Sequence, residues 1–207
     1  MLDKMTWRRI RGINRKRDTT PMFIKPQHPG AGTGSIAPTD ERIRKVISYG
    51  WWGQTKINGY SWQGHIAPDA KMTCYTRQGR THNRKLHTEI SEQILDHILP
   101  KTKNGYTVLA AEWQHELKIL YIFDVYKLDG ESFQRKTYTE RYKILRDELF
   151  IIAPNVKILP VYRTVKQCMD VLEKARGDKF VDGLVFKNPK TPGWQNSSIV
   201  RCLKGKR

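Results

Sequence analysis

Two neighbouring runs of residues, "YTVLAAEW" at 106–113 and "LKILYIFDVYKL" at 117–128, constrain the fold of this chain most. Their β-branched and aromatic residues predict β-strands. The second run is too apolar to lie on a surface, so other elements must cover it. At 207 residues the chain is long enough to bury such a core without disulfide bonds.

Strands and helices are interspersed along the rest of the chain. Short strands are predicted between residues 51 and 76, with turns at Asn58-Gly59 and Pro68-Asp69, and again in "FVDGLVFK" and "SSIVRCLKGK". Helical signals cover 39–50, 87–100, 137–149 and 164–177, with Thr39 as a candidate N-cap and Gly50, Pro100 and Gly177 marking helix ends. The expected inner stripes are Ile90, Ile94 and Ile98, then Tyr142, Leu145 and Leu149, then Val165, Met169 and Leu172. This mixture favours an α+β domain over alternating βαβ units.

Residues 1–38 are predicted to form a basic N-terminal arm or linker, because Gly and Pro in "QHPGAGTGSIAP" oppose regular structure. The "GAGTG" segment is not a phosphate-binding loop, since no strand precedes it and no Lys-Ser/Thr pair follows. The domain proper is therefore expected to span residues 39–207.

The net charge of +18 and the pI near 10.0 indicate a polyanionic partner. Phosphate contacts and counterion release make nucleic acid the leading candidate, ahead of a membrane surface or simple solubility. Three cysteines without paired spacing, Cys74, Cys168 and Cys202, favour a reducing compartment. No apolar run is long enough to span a bilayer, and the N-terminus lacks a signal-peptide core. An intracellular location is expected: cytoplasmic, nuclear in a eukaryote, or host cytoplasm for a virus.

Lys56, in "GQTKINGYSW" at 53–62, is the candidate nucleophile. A lysine amine reacts only when deprotonated, and its reference pKa is about 10.4, so burial or neighbouring cations must lower that value. Such an amine attacks phosphorus or carbonyl carbon. The alternative is that Lys56 only belongs to a β-hairpin with Asn58-Gly59 at its turn.

Six short motifs along the chain favour the first interpretation. They are "KINGY" at 56–60, "YTRQG" at 75–79, "LAAEW" at 109–113, "LYIFDVYKLDGES" at 120–132, "VDGLVFK" at 181–187 and "CLKGK" at 202–206. Together they resemble, in order, the motifs of the covalent nucleotidyltransferase superfamily, which holds ATP-dependent DNA ligases, RNA ligases and mRNA capping enzymes. The chain is most similar to the adenylation domain of ATP-dependent DNA ligases.

The resemblance implies a fold and a reaction. The fold would be an α+β nucleotidyltransferase domain, ATP-grasp-like, with two antiparallel β-sheets and flanking helices around a nucleotide-binding groove. Lys56 would attack the α-phosphate of ATP to form lysyl-AMP. The AMP would pass to the 5′-phosphate at a nick in double-stranded DNA, and the 3′-hydroxyl would then displace it. DNA repair and replication are the processes that need such an enzyme, and a monomer is expected.

The resemblance also implies roles for other residues. Cationic contacts to the phosphates would come from Arg77, Lys187, Lys204 and Lys206. Glu112 would hold the ribose hydroxyls, and Gln54 would accept a hydrogen bond from the base. Phe123 would stack on the base, with Tyr121 as its rival. Asp182, with Glu112, would bind Mg²⁺ or Mn²⁺. The simpler alternatives are an exposed turn at Arg77, a hairpin turn at Asp182-Gly183 and a surface ion pair at Glu112.

Three positions depart from the ligase pattern. Asn58 stands where aspartate is usual, Gln54 where glutamate is usual, and Asp182 where ligases have glutamate. Asp182 resembles the Asp-Gly-Leu motif of capping enzymes, so guanylyl transfer stays an alternative, as do RNA ligation and a non-catalytic nucleic-acid-binding module. The chain ends at the last motif, and no C-terminal oligonucleotide-binding (OB-fold) domain is expected. It is either a single-domain enzyme or a fragment.

The N-terminal arm is the candidate surface for duplex DNA. Its expected contacts to the phosphate backbone are Arg8, Arg9, Arg11, Arg15, Lys16 and Arg17, with Trp7 as a possible stacking group.

Overall fold

The computed structural model describes residues 23–25, 39–149, 153–192 and 197–201. Its helices are α1 Asp40–Ser48, α2 Thr88–Ile98, α3 Tyr138–Lys143 and α4 Val165–Lys174. Its strands are β1 Trp52–Ile57, β2 Tyr60–Ile66, β3 Met72–Tyr75, β4 Thr107–Gln114, β5 Ile119–Leu128, β6 Glu131–Ser132, β7 Val156–Ile158, β8 Val161–Tyr162, β9 Val181–Lys187 and β10 Ser197–Arg201. A 3₁₀ turn, Leu99–Lys101, follows α2, and a π-helical turn, Ile144–Glu148, extends α3. The predicted α+β class is confirmed.

The strands form two sheets. The first has the order β10-β9-β1-β8, and all its pairs are antiparallel. The second has the order β3-β2-β4-β5-β6, also antiparallel, and β7 pairs parallel with the other end of β5. The two predicted antiparallel sheets are therefore present, with this one parallel pair added.

The helix signals are confirmed at particular residues. The Thr39 side chain caps α1 by accepting a hydrogen bond from the Arg42 N–H at 3.4 Å. The α2 residues Ile90, Ile94 and Ile98 are buried, as their spacing predicts. The fourth helix ends at Lys174, with Ala175 rather than Gly177 as its C-cap.

Each sheet has its own core. One face of the second sheet packs on α2 and α3 through residues that include Trp62, Leu109, Trp113, Ile122 and Tyr142. The first sheet packs on α1 and α4 through Ile43, Cys168, Leu172, Leu184 and Phe186. On its other face, the second sheet is partly covered by Ile24, which packs against Val108, Ala110 and Tyr126. The first sheet reaches the second where Lys187 donates to the Phe123 carbonyl at 3.3 Å.

The chain crosses from the first sheet to the second at Asn58-Gly59. Strands β1 and β2 lie in different sheets, so the β-hairpin interpretation of "KINGY" is wrong. Asn58 donates its backbone N–H to the Phe180 carbonyl at 2.8 Å, and its own carbonyl accepts from the Gln114 side chain at 2.6 Å. A Cβ at Gly59 would lie 2.6 Å from the Trp113 carbonyl oxygen, so only glycine fits this close approach.

In the part of the chain that the structure describes, no helix has the length and apolar character needed to cross a membrane.

Candidate active site

Strand β1 directs Lys56 towards the second sheet. Gly53 pairs with Phe186, and both lie on the face that packs against Cys168 of α4. Side chains alternate along a strand, so Gln54 and Lys56 lie on the opposite face. The candidate nucleophile therefore faces the space between the two sheets.

Asp182 meets Lys56 at a β-bulge. Lys56 pairs with Gly183 and Ile57 pairs with Val181, so Asp182 is the additional residue of β9. The Lys56 Nζ donates to Asp182 Oδ2 at 2.7 Å, and the two side chains are 24% and 21% exposed. Since Asp182 lies inside a strand, the alternative of a hairpin turn at Asp182-Gly183 is wrong.

Glu112, on β4, brings a second carboxyl group to Lys56 from the opposite sheet. Burial raises its pKa to about 7, and repulsion from Asp182 adds to that rise. Attraction to Lys56 and Arg77 and a hydrogen bond from the Gly59 backbone act in the other direction. Glu112 is therefore close enough to Lys56, Asp182 and Arg77 to interact electrostatically with all three.

Arg77 lies on the exposed turn that follows β3, as its simpler interpretation expects. The Thr76 N–H donates to the Arg80 carbonyl at 2.8 Å and closes this turn. The guanidinium nevertheless lowers the pKa of Glu112, so its position is compatible with both interpretations.

Gln54 and Lys187 occupy the deeper end of the same face. Gln54 is 2% exposed; its Nε2 donates to the Leu159 carbonyl at 3.1 Å, and its Oε1 accepts from Tyr138 Oη at 3.2 Å and Lys187 Nζ at 2.9 Å. Lys187 also donates to the Phe123 carbonyl at 3.3 Å. Burial lowers the pKa of Lys187 to about 8. The structure thus joins Lys187 to Gln54 and Phe123, whereas Lys56 is joined to Asp182.

Phe123 and Tyr121 lie on different parts of the groove face of β5. Phe123 occupies a register shift of β5, where its ring lies 4.9 Å from the Lys187 ammonium. Tyr121 pairs with Glu112 across β4 and β5, which places the two side chains side by side. Both rings therefore border the groove, Phe123 at its deeper end and Tyr121 beside Glu112.

A buried ion pair supports this deeper end and was not predicted from the sequence. Asp124 accepts two hydrogen bonds from Arg141, at 2.9 and 3.0 Å, and both side chains are buried. Arg141 belongs to α3, and so does Tyr138, which contacts Gln54. The signal available was Asp124 itself, the single carboxylate in a strand of mostly apolar and aromatic residues.

The remaining predicted site residues lie outside the described residues. These are Lys204, Lys206, Arg8, Arg9, Arg11, Arg15, Lys16 and Arg17.

Two carboxylates, Asp182 and Glu112, fit a divalent cation. Burial is the main cause of the raised pKa of Glu112, and repulsion from Asp182 adds to it; a cation between the two carboxylates would relieve that repulsion. No group of three or more His, Cys, Asp or Glu side chains converges as a metal site within the described residues. Magnesium commonly takes one or two carboxylates and completes its shell with phosphate oxygens and water.

Comparison with solved structures identifies the architecture. The ligase domain of M. tuberculosis LigD matches with a TM-score of 0.54 and 15% identity, over 73% of this chain and 52% of that one. A mycobacterial DNA ligase D complexed with ATP and MES matches with a TM-score of 0.51 and 16% identity, over 70% of this chain and 50% of that one. The fold is that of a ligase nucleotidyltransferase domain. The chain spans about half the length of these two structures.

Other comparisons add no family assignment. No family model and no curated protein matches the chain. At 15–16% identity the two solved structures show the fold, and the resemblance drawn from the six motifs is confirmed at that level.

Proposed function

We propose that this domain adenylates itself at Lys56 with ATP and uses the AMP to seal nicks in duplex DNA. One observation carries the proposal: the Lys56 amine faces the groove of a ligase-type fold, 2.7 Å from Asp182, with Glu112 reaching the same point from the other sheet. An amine, two carboxylates and a nearby guanidinium suit attack on a phosphate group.

In the first step the Lys56 nitrogen forms a bond to the α-phosphorus of ATP. The bond between that phosphorus and the bridging oxygen of the β-phosphate breaks, pyrophosphate leaves, and the amine proton passes to solvent water. Asp182 holds the amine in position by its hydrogen bond before attack. Arg77 would neutralise phosphate charge at the mouth of the groove.

The two carboxylates would hold Mg²⁺ or Mn²⁺ in the presence of ATP. The ion would supply charge screening of the attacked phosphate. Glu112 would otherwise hold the ribose hydroxyls, and Phe123 or Tyr121 would stack on the base.

The later steps need a polynucleotide. AMP passes from Lys56 to a 5′-phosphate, which restores the lysine, and the neighbouring 3′-hydroxyl then displaces AMP and joins the strands. Nicked double-stranded DNA is the proposed partner of a monomer acting inside the cell, and the net charge of +18 supports a phosphate-rich partner. Contacts from the arm residues 8–17 and from Lys204 and Lys206 are part of this proposal.

The alternative is transfer of another nucleotide or joining of RNA. The Gln54 oxygen already accepts two hydrogen bonds, so an adenine amino group would have to replace Tyr138 or Lys187 there. Asp182 also matches the capping-enzyme pattern. Both observations keep guanylyl transfer as the second candidate, and an RNA ligase would share the same first step with ATP.

Labelling tests the proposal directly. The protein is incubated with ATP or GTP radiolabelled at the α-phosphate, together with Mg²⁺, and resolved on a denaturing gel. We expect label from ATP in the wild type and none in Lys56→Ala. Lys179→Ala is the matched control, because Lys179 is exposed and paired with Glu116, and it should label normally.

Sealing assays on nicked DNA and nicked RNA duplexes then assign the strand type. If only GTP labelled the protein, GTP rather than ATP would be the nucleotide donor. Absence of label from both nucleotides would contradict it and leave a non-catalytic binding module.

A further inference from the structure

The loop between β3 and α2, residues 76–87, carries positive charge only. Four of its residues are basic and none is acidic: Arg77, Arg80, Arg84 and Lys85. All four are exposed. The nearest acidic residues along the chain are Asp69 and Glu89, outside the loop.

Some basic residues elsewhere on the surface pair with acidic neighbours. On α4, Lys166 pairs with Asp170 at 2.7 Å, and just beyond the helix Arg176 pairs with Glu173 at 3.2 Å. Within the described residues, three loop cations form no ion pair with a carboxylate: Arg80, Arg84 and Lys85. A solvated face usually mixes both signs, so this loop has a potential that would attract an anion.

The loop is held in place by its own hydrogen bonds. The Thr76 N–H donates to the Arg80 carbonyl at 2.8 Å, the Gly79 N–H donates to the Thr76 carbonyl at 3.0 Å, and the His82 N–H donates to the Cys74 carbonyl at 2.8 Å. Gly79 has a φ of 78°, in the left-handed region that suits glycine. The cations therefore extend from an ordered turn, which lowers the entropy cost of binding.

The loop connects two landmarks of the candidate active site. At its start, Arg77 is close enough to lower the pKa of Glu112. Further along, the Arg84 guanidinium lies 4.9 Å from the centre of the Tyr60 ring, which is 41% exposed. Tyr60 follows the crossing between the sheets, four positions after Lys56 along the chain. The cations thus run from the mouth of the groove to the point where the chain leaves the first sheet.

We infer that residues 76–87 bind the phosphate backbone of the nicked duplex that receives the AMP. The inference rests on the proposed function, because it names the surface for the polynucleotide substrate of that same site. A single ATP would need cations gathered at one point, whereas cations spread along a loop match a chain of phosphates. Phe23 lies against Gly79 of this loop: a Cβ added at Gly79 would come within 2.7 Å of the Phe23 ring.

A charge-matched pair of variants tests the inference. The loop variant is Arg80→Ala/Arg84→Ala/Lys85→Ala, and the control variant is Lys166→Ala/Lys174→Ala/Arg176→Ala on and beside α4. Each loses three exposed positive charges. Binding to nicked duplex DNA is measured across a range of salt concentrations, and labelling of Lys56 by ATP is measured without DNA.

We expect the loop variant to bind nicked DNA at least about tenfold more weakly. Its salt slope should fall by about 2–3, because each cation removed leaves one phosphate with its counterions. The control variant should change both quantities much less. Labelling of Lys56 should match the wild type in both variants, since both keep Arg77 and all the residues proposed to bind ATP.

The outcomes separate the two proposals. Equal losses in both variants would show that only net charge matters and would overturn the inference. Binding to anionic lipid vesicles is measured in the same way. If the loop variant lost binding to the vesicles but bound DNA as the wild type does, the inference would also be overturned. The wild type could also fail to label at Lys56 while its DNA binding still depends on the loop. That result would contradict the proposed reaction and support the loop as a DNA-binding surface.

Discussion

Two residues of β1, Lys56 and Gln54, lie two positions apart on one face and differ in almost every physical respect. Lys56 is 24% exposed and its amine contacts the Asp182 carboxylate. Gln54 is 2% exposed, and its amide makes three hydrogen bonds, to Leu159, Tyr138 and Lys187. One strand thus contributes an accessible charged end and a sealed polar end to the same groove.

This difference separates chemistry from stability. A partly exposed ion pair is worth about 0–1 kcal/mol, because solvent screens it. A buried polar group that loses its partner costs about 1–3 kcal/mol. Changes at the accessible end should therefore affect the reaction, and changes at the sealed end should affect folding.

The largest effect is expected from Asp182→Asn. The amide keeps the shape of the side chain but removes the negative charge beside the Lys56 amine. It also removes one carboxylate of the proposed metal site. We expect labelling of Lys56 by ATP to slow by at least about 100-fold, as when one preorganised electrostatic interaction is removed. The free energy of unfolding should change by less than about 1 kcal/mol.

Asp170→Asn is the control for that variant. Asp170 also pairs with a lysine at 2.7 Å, but on the exposed surface of α4. It should leave labelling unchanged. If Asp182→Asn labelled normally, or if it unfolded the protein, the accessible end would not be the chemical one.

Gln54→Leu tests the sealed end. Leucine fills a similar volume but removes one hydrogen bond each from Tyr138, Lys187 and the Leu159 carbonyl. Tyr138 and Lys187 keep their hydrogen bonds to the Phe123 carbonyl. The Leu159 carbonyl keeps the one from Tyr142. We expect the free energy of unfolding, measured in urea, to fall by about 1–3 kcal/mol. Gln78→Leu, in the exposed turn after β3, should change it by less than about 0.5 kcal/mol. Equal changes in the two variants would contradict the distinction.

The pH dependence of stability sharpens the contrast further. Burial lowers the pKa of folded Lys187 from 10.5 to about 8, so between these two values the unfolded chain binds a proton that the folded chain does not. Folding stability linked to this group therefore rises from about pH 8 to 10.5 and carries a constant cost below pH 8. Part of the side chain is exposed, so we expect a rise of about 1–2 kcal/mol.

Urea titrations at several pH values would measure that rise. The exposed Lys190→Met should keep it, whereas Lys187→Met should lose it. A rise of equal size in both variants would show that other groups cause it.

Local patterns predicted much of the fold. The stripe Ile90, Ile94 and Ile98 placed α2, and Thr39 placed the start of α1, because both signals depend on residues within a few positions of each other. The crossing at Asn58-Gly59 was different. That dipeptide favours a hairpin locally, but the pairing partners of β1 come from residues 161–162 and 181–187. Tertiary pairing decided the outcome.

The candidate site was predicted only in part, because its contacts also depend on residues that are far apart in the sequence. The motifs named Lys56, Glu112 and Asp182, but the hydrogen bond between Lys56 and Asp182 joins residues 126 positions apart. No local pattern contains that distance. The sealed network around Gln54 was missed because its members are an amide, a tyrosine and a carbonyl group, which have no motif of their own.

Asn58→Asp, which restores the residue usual in ligases, should have the smallest effect. The Asn58 side chain donates to the Lys179 carbonyl at 2.9 Å, and a carboxylate cannot make that hydrogen bond. Because Asn58 is exposed, we expect a loss of about 0.5–1 kcal/mol in unfolding free energy and a change of less than about threefold in labelling. Asn83→Asp, in the exposed loop, is the control and should lose less stability. Asn58 would then belong to the structural crossing between the sheets. A large loss of labelling with unchanged stability would instead assign it to the accessible end, beside Lys56.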